Sequence, residues 1–318
     1  MVERFGSGDS YLLRSVIPLF LNEGDESSKE AESSSSSDSV FSFERLRSEV
    51  NWSEMINRGG TVPRLISYQA EEEDEEGKKK ESIVPIYRLP TDSLLPSAPF
   101  TPSVLAMKLI IEEAVGQRFN HCLIQLYRSG NDYIKEHSDK TLDIALNSCI
   151  VNLSLGATRQ MKLISKPDLK KEKEIERIAL PHNSLFVLGW ETNREYLHCI
   201  AQDRRDPRLK SREELAFGGE RISLTFRLIA TFERASDGFM FGQGAILKTE
   251  EQLEEWLRRR IKEEKEEKEQ SEDELLVRNE RQQSEELLKA FSLENHSALF
   301  DWHSNYGAGF DIRQARLR

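Results

Sequence analysis

Arg221-Ile-Ser-Leu-Thr-Phe-Arg227 is the stretch on which the fold turns. Polar Arg221, Ser223, Thr225 and Arg227 alternate with apolar Ile222, Leu224 and Phe226, a period of two that an extended strand converts into one polar and one apolar face. Two guanidiniums on one strand face are costly to enclose unless anions meet them, because a buried charge must be paired. Arginine forks onto a carboxylate with two parallel hydrogen bonds, which lysine cannot imitate, so a small dicarboxylate would satisfy both side chains. Taken alone, the stretch reads equally well as a surface strand whose arginines pair with nearby glutamates.

Outward from this strand, the chain carries further short strand signals at 123–127, 150–155, 161–164 and 185–188, and the 221 stretch itself is read as continuing to residue 232. Many short strands punctuated by Gly, Asn and Pro suit a double-sheet barrel. Before them, Pro99, Thr101 and Pro102 introduce an expected helix over 103–111, with Thr101 or Ser103 as its cap.

Two fragments outside the arginine strand complete a metal reading. His137 and Asp139 lie two apart at the end of Asp132-Tyr-Ile-Lys-Glu-His137, a short strand in which residues i and i+2 share a face. His198 follows the apolar run 184–190 at a distance that suits a ligand from another strand. Two imidazoles and one carboxylate on one face of Fe(II) leave open positions for a co-substrate and O2. His121 and His182 lack partners at such separations and are read as hydrogen-bonded structural residues, and His303 is assigned no metal role.

These residues carry a family resemblance. With Gly116-Gln-Arg-Phe-Asn120, Leu123-Ile-Gln-Leu-Tyr127, Gly130-x-Asp132-x-Ile134-x-Glu136-His137 and Val151-x-Leu153-Ser-Leu-Gly156, the chain resembles AlkB-type dioxygenases, the iron- and 2-oxoglutarate-dependent group that oxidatively removes alkyl lesions from nucleic acid. Val62-Pro-Arg64, with Tyr68 a few residues on, resembles the opening of the family's substrate-facing region. The resemblance spans about residues 50 to 235. It implies an α+β, mainly β fold, a jelly-roll double-stranded β-helix with flanking helices, to which the Glu-, Lys-, Arg- and Leu-dense run 249–291, nearly free of Gly and Pro, adds by its composition a long charged C-terminal helix. It also implies Fe(2+) bound by His137, Asp139 and His198, with 2-oxoglutarate and O2 as co-substrates. Arg221 would hold the distal carboxylate of 2-oxoglutarate, Arg227 would lie near the chelating one, and Tyr127 would offer a hydroxyl. Gln125 and Ser223 stand where members carry Asn. No catalytic group beyond the iron site is implied. The products would be succinate, CO2 and, from an N-methyl group, formaldehyde.

One departure bears on substrate. Repair members place an acid four residues after the first metal histidine, and here that position is Thr141; where some relatives have a second acid after the metal aspartate, this chain has Lys140. Tyr68 and Thr141 are therefore the substrate-side candidates. Nucleic acid, DNA ahead of RNA, is the implied partner, with DNA dealkylation repair as the activity. The same chemistry on a small molecule or protein side chain is the first alternative, and a non-enzymatic interaction protein on this fold is the second.

Composition sets the outer limits. The 318 residues carry a net charge of −11, which opposes phosphate binding, since that is driven by lysines and arginines displacing counterions. Residues 101–235, however, hold 21 Lys and Arg against 18 Asp and Glu, a balance of +3 that leaves −14 on the remainder. Lys170, Lys171, Lys173, Arg204, Arg205, Arg208, Lys210 and Arg212 are read as either a phosphate track or solvated loops. Cys122, Cys149 and Cys199 lack metal-motif spacing and read as reduced thiols. No cationic apolar leader opens the sequence and no apolar run approaches the roughly 18 residues of a membrane span. The expectation is an intracellular protein, nuclear or cytoplasmic and not secreted, with no membrane contact.

The organisation expected is a flexible N-terminal segment (1–40), a substrate-facing extension (41–120) with a disordered acidic insert at 70–81, the barrel (121–235), and a charged helical extension with an aromatic tail (236–318). The charged insertion at 166–177 is expected to project beyond the sheet. Leu253, Trp256, Leu257 and Ile261 at one end of the last helix, and Leu287, Leu288 and Phe291 at the other, are expected to dock on the catalytic unit or on a protein partner.

Overall fold

The computed structural model describes residues 2–17, 39, 41–57, 60–71, 83–90, 97–170, 172–265 and 280–313. Its strands are β1 (Arg4–Phe5), β2 (Ser10–Arg14), β3 (Ser53–Asn57), β4 (Gly60–Ala70), β5 (Ile83–Pro85), β6 (Ser97–Pro99), β7 (His121–Tyr127), β8 (Ile134–His137), β9 (Ile150–Gly156), β10 (Arg159–Ser165), β11 (Ile175–Leu180), β12 (Ser184–Leu188), β13 (Tyr196–Ile200), β14 (Arg221–Arg227), β15 (Thr231–Arg234) and β16 (Met240–Gly242). The helices are α1 (Phe43–Glu49), α2 (Pro102–Val115), α3 (Trp190–Glu195), α4 (Arg212–Leu215), α5 (Glu250–Lys265), α6 (Glu280–His296) and α7 (Trp302–Tyr306).

The larger sheet runs β1-β2-β12-β9-β14-β7-β4-β3, with β6 beside β4, and a second sheet runs β11-β10-β13-β8. A small third sheet, β16-β15-β5, stands at one end. Strand alternation explains how the two main sheets close on each other. From β7, β9 and β14, Cys122, Ile124, Leu126, Val151, Leu153, Leu155, Ile222, Leu224 and Phe226 face outward, where Phe43, Leu46, Val104, Met107 and Ile111 of α1 and α2 cover them. The opposite faces of the two sheets meet through Ile150, Phe186 and Leu188 on one side and Met161, Leu163, Ile178 and Leu180 on the other. All seven residues of β14 are thus buried, its polar set toward the interior between the sheets. The result is the double-sheet arrangement that the strand pattern suits and the α+β, mainly β, jelly-roll fold that the resemblance implies.

Several boundaries differ from expectation. Residues 4–14, assigned to a flexible segment, add β1 and β2 to the large sheet, with Leu13 opposite Leu185 and Tyr11 opposite Val187. The stretch 222–232 divides into β14 and β15, because Asn120 spans the break, its side-chain amide bonding both the N–H and the C=O of Ile229. The charged insertion does not simply project: its last three residues open β11, and Lys166 at its base is buried. Thr101 does precede α2, yet its side chain makes no cap; its amide donates to Gln69 Oε1 at 3.0 Å. The acidic stretches 26–38 and 72–81, and residues 266–279 of the charged C-terminal region, lie outside the described residues.

The C-terminal extension packs on the barrel. Leu287, Ala290 and Phe291 of α6 bury with Phe300, Tyr306, Phe310 and Ile312 around Leu142, three residues past Asp139. The Arg88 guanidinium ties the same region together, meeting Asp143 at 2.6 Å and donating to the carbonyls of Phe310 (2.7 Å) and Gly244 (2.8 Å). Both members are almost wholly buried, so removing one strands the other. Asp143→Ala is expected to lower the unfolding free energy by about 3–5 kcal/mol, read as an earlier midpoint in urea with little change of slope.

Candidate metal centre

The strand pairing of β13 with β8 sets His198 directly opposite His137. Their rings lie 4.2 Å apart. Asp139 sits just past the end of β8, and its Oδ1 is 3.8 Å from Nε2 of each histidine. Donors about 2.0–2.2 Å from one ion lie at most about 4.4 Å apart, so these carboxylate-to-imidazole separations suit a shared cation. The three ligand atoms all fall within 4.8 Å of one another.

Each donor is held in its ligating form. His137 Nδ1 bonds the Lys135 carbonyl at 2.8 Å; a carbonyl only accepts, so the proton sits on Nδ1 and the Nε2 lone pair is free. Burial, reinforced by His198, pushes the His137 imidazole down to about 3, and burial also lowers His198, so both are neutral at neutral pH. For Asp139, burial works against the charge, but Arg227 and the two histidines outweigh it and bring the carboxyl to about 2. Arg227 grips only Oδ2, at 3.1 Å from Nε and 2.7 Å from Nη2, which leaves Oδ1 turned to the imidazoles.

Beside the triad, β14 faces a cavity of 260 Å³. Arg221, 1% exposed, donates through Nη2 to Asn152 Oδ1 (3.0 Å) and Ser154 Oγ (2.7 Å), while Nε and Nη1 have no partner among the described residues. Burial, aided by the nearby Arg159 charge and opposed by Tyr127, pulls this guanidinium down to about 10. A buried cation with two idle donors is a socket for an anion. Arg227 Nη1 is likewise unpartnered. The donor set therefore fits a ferrous ion with a chelating diacid: two imidazoles, one oxygen, and arginine hydrogens waiting nearby.

The remaining sequence candidates fall in different places. Tyr127, Gln125 and Ser223 all line the cavity. Register explains it, since Tyr127 stands opposite Arg221 and Gln125 opposite Ser223. The Tyr127 hydroxyl donates to Gln125 Oε1 at 3.3 Å, and Ser223 Oγ accepts from Asn152 at 2.6 Å. Tyr68 and Thr141 are not among the lining residues. Tyr68 packs 5.8 Å from the His121 ring, and the Thr141 amide and hydroxyl both go to Glu294. His121 is buried between Tyr68 and Tyr87 with Nδ1 unpartnered among the described residues, whereas His182 Nδ1 accepts from the Gly156 amide. Gly156 is required there: at φ +97°, a Cβ would stand 2.4 Å from the Glu220 carbonyl.

Sequence reasoning passed over Asn152, Tyr87 and Asn193, and named Arg64 only as part of the substrate-facing stretch. Asn152 could have been found, as it continues the inward polar alternation with Ser154 on β9. Arg64 and Tyr87 line the cavity from the N-terminal extension, with Met55, Leu89 and Pro90 as an apolar wall. Asn193 on α3 brackets Asp139, accepting its N–H at 2.9 Å and donating to its C=O at 3.0 Å. The basic loop after β13 is largely self-neutralised: Arg205 pairs with Asp203 and Glu214, Arg208 with Asp206, and Lys210 with Asp203. All three cysteines are free thiols, and no described helix is long and apolar enough to cross a membrane.

Comparison with known proteins agrees with this geometry. A family model described as the 2OG-Fe(II) oxygenase superfamily matches residues 32–227. The chain is similar to "Alpha-ketoglutarate-dependent dioxygenase alkB homolog 3" of Bos taurus, 31% identical over 139 residues, 42% of this chain and 45% of that protein. It is similar to "DNA oxidative demethylase ALKBH2" of Bos taurus, 31% identical over 135 residues, 41% and 45% of the two chains. The match spans about half the length of these curated relatives. A solved structure described as "The structure of OsALKBH1" overlays with a TM-score of 0.42 at 14% identity, covering 72% of this chain and 100% of that one.

Proposed function

The chain belongs to the 2OG-Fe(II) oxygenase superfamily, and from that premise we propose that it is an Fe(II)- and 2-oxoglutarate-dependent dioxygenase that oxidatively dealkylates nucleic-acid bases, DNA ahead of RNA. One observation carries the reading: His137, Asp139 and His198 converge within 4.8 Å beside an enclosed Arg221 whose Nε and Nη1 have no hydrogen-bond partner among the described residues. When bound, the ferrous ion supplies the oxygen activation that couples decarboxylation of 2-oxoglutarate to oxidation of a substrate C–H. The chain's own part is to hold the ligands in their unprotonated forms. Arg221 takes the distal carboxylate and Arg227 aims Asp139, while the wall of Met55, Leu89 and Pro90 excludes water. The nucleic-acid class follows from the motif resemblance and from the relative described as a DNA oxidative demethylase. A repair role in the nucleus accords with that class.

The cavity adds a preference. Arg64, Lys140, Arg221 and Arg227 line it, and Asp139 is the one carboxylate among the described lining residues. A permanently cationic alkylated base finds no acid there beyond Asp139 among the described lining residues, and Thr141 is turned to Glu294. With Fe(II) and 2-oxoglutarate present, oligonucleotides bearing an uncharged N-methylated base are expected to release formaldehyde faster than those bearing 1-methyladenine. Formaldehyde and succinate measured side by side test both levels. No release from any methylated DNA or RNA would remove the nucleic-acid reading, and faster release from the cationic base would remove the charge preference. The same chemistry on a small molecule or protein side chain is favoured by the same lack of an acid, and succinate formation stimulated by metabolites but not oligonucleotides would select it.

A further inference from the structure

The loop that carries Asp139 is pinned by side chains. No amide from Ser138 to Thr141 joins a strand ladder. Ser138 N–H donates to Asn295 Oδ1 (3.0 Å), Asp139 N–H to Asn193 Oδ1 (2.9 Å), Lys140 N–H to the Tyr87 hydroxyl (3.2 Å) and Thr141 N–H to Glu294 Oε1 (2.9 Å). Two of these four acceptors are neighbours on α6, more than 150 positions further along the chain.

Glu294 is the better anchored of the two. It is 3% exposed, and its Oε1 accepts both the amide and the hydroxyl of Thr141. Its Oε2 accepts from the Tyr306 hydroxyl at 2.7 Å and lies 4.0 Å from the Lys140 ammonium. Its carbonyl receives the buried Lys166 ammonium, and Trp302 Nε1 donates to the Thr141 carbonyl at 3.0 Å. A carboxylate enclosed this way holds its place through charge-assisted bonds.

We propose that Glu294 is a positioning residue of the metal centre: through Thr141 it fixes the loop so that Asp139 Oδ1 stands opposite the two imidazoles. The physical reason is an asymmetry within the triad. His137 and His198 are registered against each other by the β8–β13 pairing, whereas Asp139 lies beyond the ladder and depends on its loop. The segment 280–306 is then part of the catalytic unit. This inference rests on the oxygenase reading only in taking the triad as a metal site.

Cobalt titration of the metal-free full-length chain, followed by visible absorption, tests it alongside thermal unfolding. Glu294→Ala is expected to weaken Co(II) binding about tenfold to a hundredfold and to alter the ligand-field spectrum. Glu294→Gln, which keeps Oε1 as an acceptor for Thr141, is expected to stay within about threefold of the wild type. Asn295→Ala leaves the Glu294 contacts in place and is expected to weaken Co(II) by several-fold with its melting temperature near native. Should Glu294→Ala not fold, Asn295→Ala decides. Native Co(II) affinity and spectrum in a folded Glu294→Ala or Asn295→Ala protein would overturn the proposal, as would a Gln variant as weak as the Ala variant. A wild-type chain that bound no Co(II) would remove the oxygenase reading itself, and with it this one.

Discussion

Arg221→Met is expected to end 2-oxoglutarate-dependent turnover while making the metal-free protein more stable. Nε and Nη1 of Arg221 are buried without hydrogen-bond partners among the described residues, so the isolated protein carries a desolvated charge that Asn152, Ser154 and the Tyr127 ring meet only in part. Methionine of similar length relieves that penalty, worth about 1–3 kcal/mol. The oxygens left behind are not stranded, since Ser154 Oγ already donates to Asn152 Oδ1 at 3.4 Å. At about 2–4 °C per kcal/mol the melting temperature should rise by several degrees. Losing one side of a buried charge pair costs about 2–5 kcal/mol of binding, or about thirtyfold to several-thousandfold in affinity for 2-oxoglutarate. Differential scanning fluorimetry and 2-oxoglutarate saturation curves check the two halves. A fall in melting temperature would show that the idle donors have partners in solution.

Asp139→Ala is expected to do the reverse to stability and the same to activity. It removes a proposed metal ligand and strands Arg227, 3% exposed at its side chain, which then loses its carboxylate. Breaking such a pair costs about 3–5 kcal/mol. The carboxyl is held near 2, below the ordinary aspartate value of about 3.9, so its contribution is complete above that value and is lost as pH falls through about 2. Adding Arg227→Met to Asp139→Ala should restore most of the stability and none of the turnover. A double-mutant cycle in urea measures the coupling. Additive losses would mean that the pair is not coupled in solution.

These two residues show how much was legible in advance. The alternation Arg221 to Arg227 reports the side-chain period directly, so the strand and the shared face of its two arginines follow from one rule, whereas the burial of that face did not, a surface strand fitting the same alternation equally well. The His137-x-Asp139 spacing was readable for the same reason, and His198 joined it once a partner strand was assumed. Elements whose burial is set by distant packing left no such trace. β2 is held by β12, across more than 170 residues, and its short sequence next to a serine-rich acidic run carries no periodic signal. β11 hides in a charged insertion because its outer face is solvated, with Ile178 and Leu180 alone facing inward. Glu294 was beyond reach, since one buried glutamate in a helix crowded with exposed ones looks like its neighbours.

The side-chain pinning of the 138–141 loop has a consequence for the order in which the molecule matures. A ribosome must have passed residue 302 before Asn295, Glu294 and Trp302 can reach a segment translated more than 150 codons earlier. Until then, among the described residues, the loop is held only by the bonds to Asn193, Tyr87 and Arg227. On the positioning role proposed for Glu294, full metal affinity at the triad would then await translation of residues 294–302.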